Sequence, residues 1–503
     1  MSPVMSFFRQ LPTRSRSKLL LCTLSLSILF CAACGNSNNG TNVPVTGKFS
    51  NASLNGQYAY VLNGTYFGTT VTNGPFREAG TFTADGNGNI TSGQDDFVQG
   101  GAPFSTAVTG TYSLNNDGTG FVTLNLSGGS ISLGVTLIDD TKLYLIEADS
   151  FANGAGMAER QDSTAFSAAP SGTFAFRVHS SSASGGSVGS VGAITASAGS
   201  ITGNEDVLRA SALISPTLTG SISAPNTSGR GTLSLSDSTG STASYIYYVV
   251  NGSTFNLLES DAGPLGSGRA EKQTAGPYSV GSLSGGFAFG STGDTTANTG
   301  GIDTVGAFTS NGSGSISAGA LDAVQDGNPT VDATFTGTYT MSATGRAVVG
   351  FNQSGAIVQR IFWMVSPARA FFLVDNPTRV EDGTVDQQTT TSFSNSTVNG
   401  QYAFFMDGFD SVSPPLVDRV GTLSGDGAGN LQLNYFVNRT GITNAPGFLT
   451  GTYSVGSHGR VAGSVSALST NIVLYMVSSN NGYLLLADPG AQLAGAAGLQ
   501  TSP

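Results

Sequence analysis

The sequence predicts an all-β protein of four tandem antiparallel β-domains. Each is expected to be a small eight-stranded meander barrel or, as the competing architecture, an immunoglobulin-like sandwich. Three observations carry this expectation. The 503 residues include 70 glycines and only 10% charged side chains, and Ser, Thr and Asn supply the polar part. That mixture is poor in helix formers and rich in strand and turn residues. Apolar and polar residues alternate in short runs. Tyr58, Tyr60 and Leu62 share one face of QYAYVL, and Val122, Leu124 and Leu126 one face of FVTLNL, the period-two pattern of a sheet with one solvated side. Finally, four signatures recur in the same order four times, with a period of roughly 115 residues.

Taken from the N-terminus, residues 9–18 are basic and residues 19–33 apolar. The apolar run is short for a transmembrane helix, which needs about 20 residues, and fits a signal-peptide core. It ends in Cys31-Ala32-Ala33-Cys34-Gly35. Small residues before a cysteine, directly after an apolar core, resemble the lipobox of bacterial lipoproteins. Cys31 stands where that family usually has Leu, while Ala-Ala-Cys-Gly fits the rest. The resemblance implies a signal peptide over 1–33, cleavage before Cys34, a diacylglycerol on its thiol and an acyl chain on its amine. Two or three chains anchor stably where one does not. Gly35, in place of the Asp that retains enterobacterial lipoproteins at the inner membrane, implies delivery to the outer membrane. The cysteines are Cys22, Cys31 and Cys34, so the mature chain is expected to rely on its core without disulfides. Residues 34–49 read as a polar flexible tether.

The repeats occupy 50–162, 163–273, 274–390 and 391–503. Each opens on Gly-x-aromatic-Ala-aromatic (GQYAY at Gly56, GTFAF at Gly172, GGFAF at Gly285, GQYAF at Gly400). Some way on come VTGTYS, LTGSIS, FTGTYT and LTGTYS, then YLIEAD, NLLESD, FFLVDN and YLLLAD. Each unit closes on a glutamine: Gln161, Gln273, Gln388 and Gln500. A copy of this size can close its own core, so beads on a string is the expected arrangement. Between strands sit NDG, SGR, NG and GDG, which supply the positive φ of tight hairpins. Closing eight strands removes sticky edges. The opening strand and the unit length are similar to avidin and lipocalin barrels at the level of fold alone. In overall style the chain resembles uncharacterised Gly/Ser/Thr-rich repeat lipoproteins of soil bacteria.

The residues that could carry chemistry are few. DGNGNITSGQDD, residues 85–96, places Asp85, Asn87, Asn89 and Asp96 at calcium-loop positions. Its sixth residue is Ile90 rather than the required Gly, and the other copies keep only the glycine turn. A hairpin explains all four copies. His179 and His458 do not match in position, and no HExxH or CxxC is present. GGSVG at Gly185 fits a nucleophile elbow in pattern but lies in a Ser/Gly-rich run. Glu147 and Glu259 recur in units one and two, where units three and four have Val374 and Leu486; they read as strand-end surface residues. Arg230, Arg346 and Arg460 read as exposed hairpin turns, and Trp363 as core. Only Lys48, Lys142 and Lys272 follow the signal, which argues against isopeptide crosslinks in every domain.

The formal charge is −11, and removing the basic leader takes it to about −15, with no Lys/Arg patch in the remainder. Nucleic-acid binding is excluded on that ground. The expectation is a non-catalytic, lipid-anchored cell-envelope protein, exported to the outer membrane and serving in adhesion, surface binding or spacing. Its partners would be the membrane, through the lipid, and polysaccharide or protein at the surface. No catalytic residue, metal or cofactor is assigned, and Cys34 is the one site residue, as lipid attachment. The alternative is a lipocalin-like carrier of small apolar ligands.

Overall fold

The computed structural model describes residues 48–501, apart from 68–72, 100–102, 182–185, 210–211, 296–299, 411–415, 466–469, 275, 391 and 446. The expected signal peptide, Cys34 and most of the expected tether lie outside the described residues.

The first repeat runs as β1 (Asn55–Tyr66), β2 (Gly74–Asp85), β3 (Asn89–Val98), β4 (Phe104–Ala107), β5 (Thr109–Leu114), β6 (Thr119–Leu126), β7 (Gly129–Leu137), β8 (Lys142–Glu147) and β9 (Ala152–Arg160). All neighbours are antiparallel. β1 pairs with both β2 and β9, and β2 with β3, so the sheet closes. β4 and β5 both pair with β3, as two halves of one broken strand. Each repeat is therefore an eight-stranded barrel, and the sandwich alternative falls away. In the third barrel the broken strand is whole, over Asn328–Met341. The only helices among the described residues are short 3-10 segments such as Asn51–Ser53.

The alternation read from the sequence sets the interior. Tyr58, Tyr60, Leu62, Val122 and Leu124 point inward, with Phe82, Leu133 and Leu145. Each such side chain is worth about 1.5–3 kcal/mol on burial. Packing leaves little room. In barrel 4 the cavity lined by Phe404, Met406, Arg419 and Tyr435 measures about 10 Å³, space for a single water.

The barrels are not beads on a string. The outward side chains of the first strands of each barrel pack against those of the last strands of the next. Ala59, Ala79 and Val98 meet Ile246, Tyr248 and Leu258. Ala175, Val191 and Leu208 meet Trp363, Phe371 and Leu373, and Ala288, Val305 and Ala307 meet Val473, Tyr475 and Leu485. Barrel 4 then returns to barrel 1, with Ala403 and Val420 on Tyr144 and Ile146. A head-to-tail contact that comes back to its start is a closed ring. The alanine of the Gly-x-aromatic-Ala-aromatic signature is the small residue at each of these interfaces.

The closing glutamines fasten each barrel to the next. Gln161 Nε2 donates to Val249 O at 2.5 Å, Gln273 to Met364 O at 2.6 Å and Gln388 to Met476 O at 2.8 Å. Gln500 donates to Leu137 O at 2.7 Å and Asp117 O at 2.9 Å, so it does for barrel 1 what Gln161 does for barrel 2. The receiving turn needs glycine. Gly118 has φ +80° and Gly229 φ +76°, and a Cβ on either would lie 2.6 Å from the incoming glutamine Nε2.

Candidate functional site: the barrel junctions and the ring axis

Three junctions carry the same clamp. Asp96, Asp206 and Asp322 point outward from barrels 1, 2 and 3 and are fully buried. Each accepts a two-pronged guanidinium from the next barrel. Arg230 reaches Asp96 at 2.6 and 3.0 Å, Arg346 reaches Asp206 at 2.8 and 2.6 Å, and Arg460 reaches Asp322 at 2.7 and 2.7 Å. An aromatic on the strand paired with the arginine completes each clamp. Tyr248 donates to Asp96, Trp363 Nε1 to Asp206 at 2.7 Å and Tyr475 Oη to Asp322 at 2.9 Å. Charge-assisted, bidentate bonds of this kind are the strong ones. The arginines are thus not free hairpin-turn residues, because each turn abuts the preceding barrel. Trp363 is buried as expected, but between barrels rather than within one.

Nearer the ring axis, ion pairs run from barrel to barrel. Glu159 pairs with Arg269, Arg269 with Glu271 at 2.7 Å, Glu271 with Arg369 at 2.7 Å and Arg369 with Asp386 at 2.7 Å; Tyr483 donates to Asp386. Burial would raise the Glu159 carboxyl, yet Arg269 and Lys142 hold it down to about 2. Further along the axis, His179 lies between Asp382 (2.5 Å) and Asp294 (3.3 Å). Burial opposes its charge, but the two carboxylates lift it to about 9, so it is protonated at neutral pH. Ser187, the serine of GGSVG, is 2% exposed and donates to Asp294 at 3.2 Å rather than to the histidine. That geometry does not activate a nucleophile. Gly185 of the same motif lies outside the described residues.

The fourth junction, between barrels 4 and 1, is built differently. Phe436 stands in register where the other barrels have Asp96, Asp206 and Asp322. Thr119 and Thr136 replace the arginine and its aromatic, and Gly498 replaces Glu159, Glu271 and Asp386. Phe436 packs edge-on against Phe121 at 4.9 Å. The polar contacts are amides. Asp418 Oδ2 accepts from Asn153 Nδ2 and from Gly154 N, both at 2.7 Å, and Asn438 Nδ2 donates to Ala152 O at 2.8 Å and Glu147 O at 2.9 Å. Asp407 is the cross-strand neighbour of Asp418. Burial and this neighbour push the Asp418 carboxyl up to about 8.

Barrel 1 also buries three carboxyls in its interior. Tyr60 Oη donates to Asp95 at 2.8 Å and lies 3.2 Å from Glu78. Glu147 is 1% exposed, and Glu259 in barrel 2 is 6% exposed. Both contradict the strand-end surface reading, because the polar step after the apolar run still belongs to the strand and its inward alternation. Burial raises Glu78 and Glu147 well above the carboxylate range and Asp95 to about 6.

The calcium-like stretch is the expected hairpin. Asp85 Oδ1 accepts from Asn87 N at 2.7 Å and Asn89 N at 3.0 Å, while Asp96 lies in the first clamp. Among the described residues no group of His, Cys, Asp or Glu is arranged to hold a metal, and none of the helices is long and apolar enough to cross a membrane.

No family model and no curated protein matches the chain. Among solved structures, the siderophore receptor PirA from Pseudomonas aeruginosa aligns at 9% identity over 88% of this chain and 79% of that one. Its TM-score is 0.08, which carries no argument about either fold or function.

Proposed function

We propose that this chain is a non-catalytic, lipid-anchored protein of the bacterial cell envelope, exported to the outer membrane, whose ring of barrels serves in adhesion, surface binding or spacing. The observation that carries the reading is where the chain places its chemistry. Arg230, Arg346 and Arg460 are all committed to clamps between barrels, and the interior of barrel 4 is filled. A ligand carrier needs a cavity of about 300 Å³ or more. Cys34, directly after the signal-like segment, supplies the anchor.

The test is metabolic labelling with a palmitate analogue in a bacterial host that makes lipoproteins, followed by membrane fractionation. The full chain is expected to take up label and sediment with the outer membrane, and the Cys34→Ser chain to do neither. Equal labelling of the two chains overturns the anchor.

A further inference from the structure

The outer wall of barrel 2, away from the ring axis, is a grid of uncharged hydroxyls. Its strands expose one residue in two, and the register lines these residues up in ranks. One rank runs Ser197, Ser200, Ser221, Ser234, Ser244, each cross-strand partner of the next. The rank beside it runs Thr195, Thr202, Thr219, Ser236, Thr242. All are exposed except the half-buried Ser244. Neighbouring strands lie about 4.8 Å apart and alternate residues about 6.7 Å along a strand, so ten hydroxyls form a two-row lattice with no charge inside it. Barrel 1 carries an uncharged rank at the same register, Asn89, Thr111, Thr123 and Ser132, with a shorter one beside it, Thr109, Asn125 and Ser130, and barrel 4 carries Asn430, Thr452, Ser464 and Asn471.

We infer that this wall is a binding surface for a neutral polysaccharide chain; the inference rests on the surface-binding reading above and names its partner class. Soluble proteins usually keep such faces wet with Lys, Glu, Arg and Asp, and here many of those residues, Asp96, Asp206, Asp322 and their arginines among them, are held in the junctions instead. A grid of hydroxyls offers donors and acceptors at every point, which suits a polymer that does the same. Its desolvation is cheap next to that of charged groups. A neutral glycan also meets no repulsion from a chain of net charge −11, whereas a polyanion does. The wall curves with the barrel, which favours a flexible chain over a flat crystalline face. Single hydroxyl contacts are weak, so binding would come from repetition along the ranks.

The test is retention of the full chain on swollen amorphous cellulose and on cross-linked dextran, both flexible neutral glycans, with alginate as the anionic control. The comparison chain is Thr202→Ala/Thr219→Ala/Ser236→Ala, whose three changes lie on the exposed face. Losing three such contacts should weaken retention on the neutral glycans at least about tenfold, with circular dichroism unchanged. If that chain misfolds, Thr219→Glu alone places one charge in the grid and should reduce retention in the same sense. Equal retention of wild type and a folded variant, or no retention of wild type on either neutral glycan, overturns the inference. In the second case, wild type held by alginate or by protein-coated beads leaves surface binding standing, and a chain held by no surface overturns both.

Discussion

The junction between barrels 4 and 1 should weaken as pH rises. Two acids, Asp407 and Asp418, face each other across one pair of strands, an arrangement that destabilises a sheet when both are charged. Asp303 of barrel 3 adds a third carboxyl, itself pushed well up by burial and by Asp407. Asp418 is 3% exposed and raised to about 8. A carboxyl raised in the closed form stabilises closure fully below its ordinary value near 4, and that contribution is lost as pH climbs to about 8. For Asp418 the difference between about 8 and 3.8 corresponds to roughly 6 kcal/mol. Asp407 is exposed and solvent screens it, so the pH dependence is carried by Asp418. The amide of Gly154 donates to Asp418 at 2.7 Å and is the natural reporter. Its hydrogen-exchange protection, corrected for the intrinsic pH dependence of exchange, should fall by several kcal/mol between pH 5 and pH 9. In Asp418→Asn, whose amide oxygen still accepts from Asn153 and Gly154, the fall should shrink to about 1 kcal/mol or less. Protection at Gly154 that is flat with pH, or that falls equally in the variant, refutes the reasoning.

Other perturbations separate the parts of the ring. Arg346→Met leaves the buried Asp206 carboxylate without its cation and should cost about 3–5 kcal/mol. Trp363, the only tryptophan, sits in that clamp and reports it by fluorescence during denaturation; a cost below about 1 kcal/mol would place the pair with ordinary surface bridges. Gln500→Ala removes both bonds to barrel 1 and should cost about 1–3 kcal/mol, seen as faster exchange at the Thr501 amide, which donates to Ile138 O at 2.9 Å. Glu147→Leu imports the residue barrel 4 already has at that position, Leu486. Because burial raises Glu147 well above the carboxylate range, the gain should be about 1–4 kcal/mol in urea unfolding at pH 8 and smaller at pH 5; destabilisation at both pH values contradicts the buried placement.

What could be read from the sequence was whatever a single barrel decides for itself. The inward faces of QYAYVL and FVTLNL, the glycine turns and the strand count follow from local alternation and positive φ, and all are in the structure. The ring was not read, although its trace is there. YIYYVV and RIFWMV are apolar on both faces, and a barrel wall with one solvated side does not need that. Tyr248 and Trp363, the outward residues of those runs, are the ones that meet the preceding barrel. The aspartates were harder to find. Asp96 sits one residue out of step with Asp206 because a bulge interrupts the register between β2 and β3, so the recurrence of the clamp is hidden from a comparison of spacings. The expectation for Cys34 rests on a motif local in sequence, which can be read without a fold.

The exception at the fourth junction has a physical sense. At three junctions the peptide chain itself holds the partners together, so a high effective concentration assists the contact. At the fourth, barrel 4 must find barrel 1 with nothing joining them there. Had all four faces carried the same Asp–Arg code, barrel 3 could close on barrel 1 as well as barrel 4 does, leaving one barrel outside the ring. With the residues present, Asp322 set against Thr119 would bury a carboxylate with no cation, and Phe436 set against Arg230 would bury a cation with no carboxylate. Either mispairing costs about 3–5 kcal/mol, while Phe436 on Phe121 and Asp418 on Asn153 satisfy each other. Specificity of this kind is a difference between pairings rather than the strength of one, and it directs the ring to close once, on four barrels.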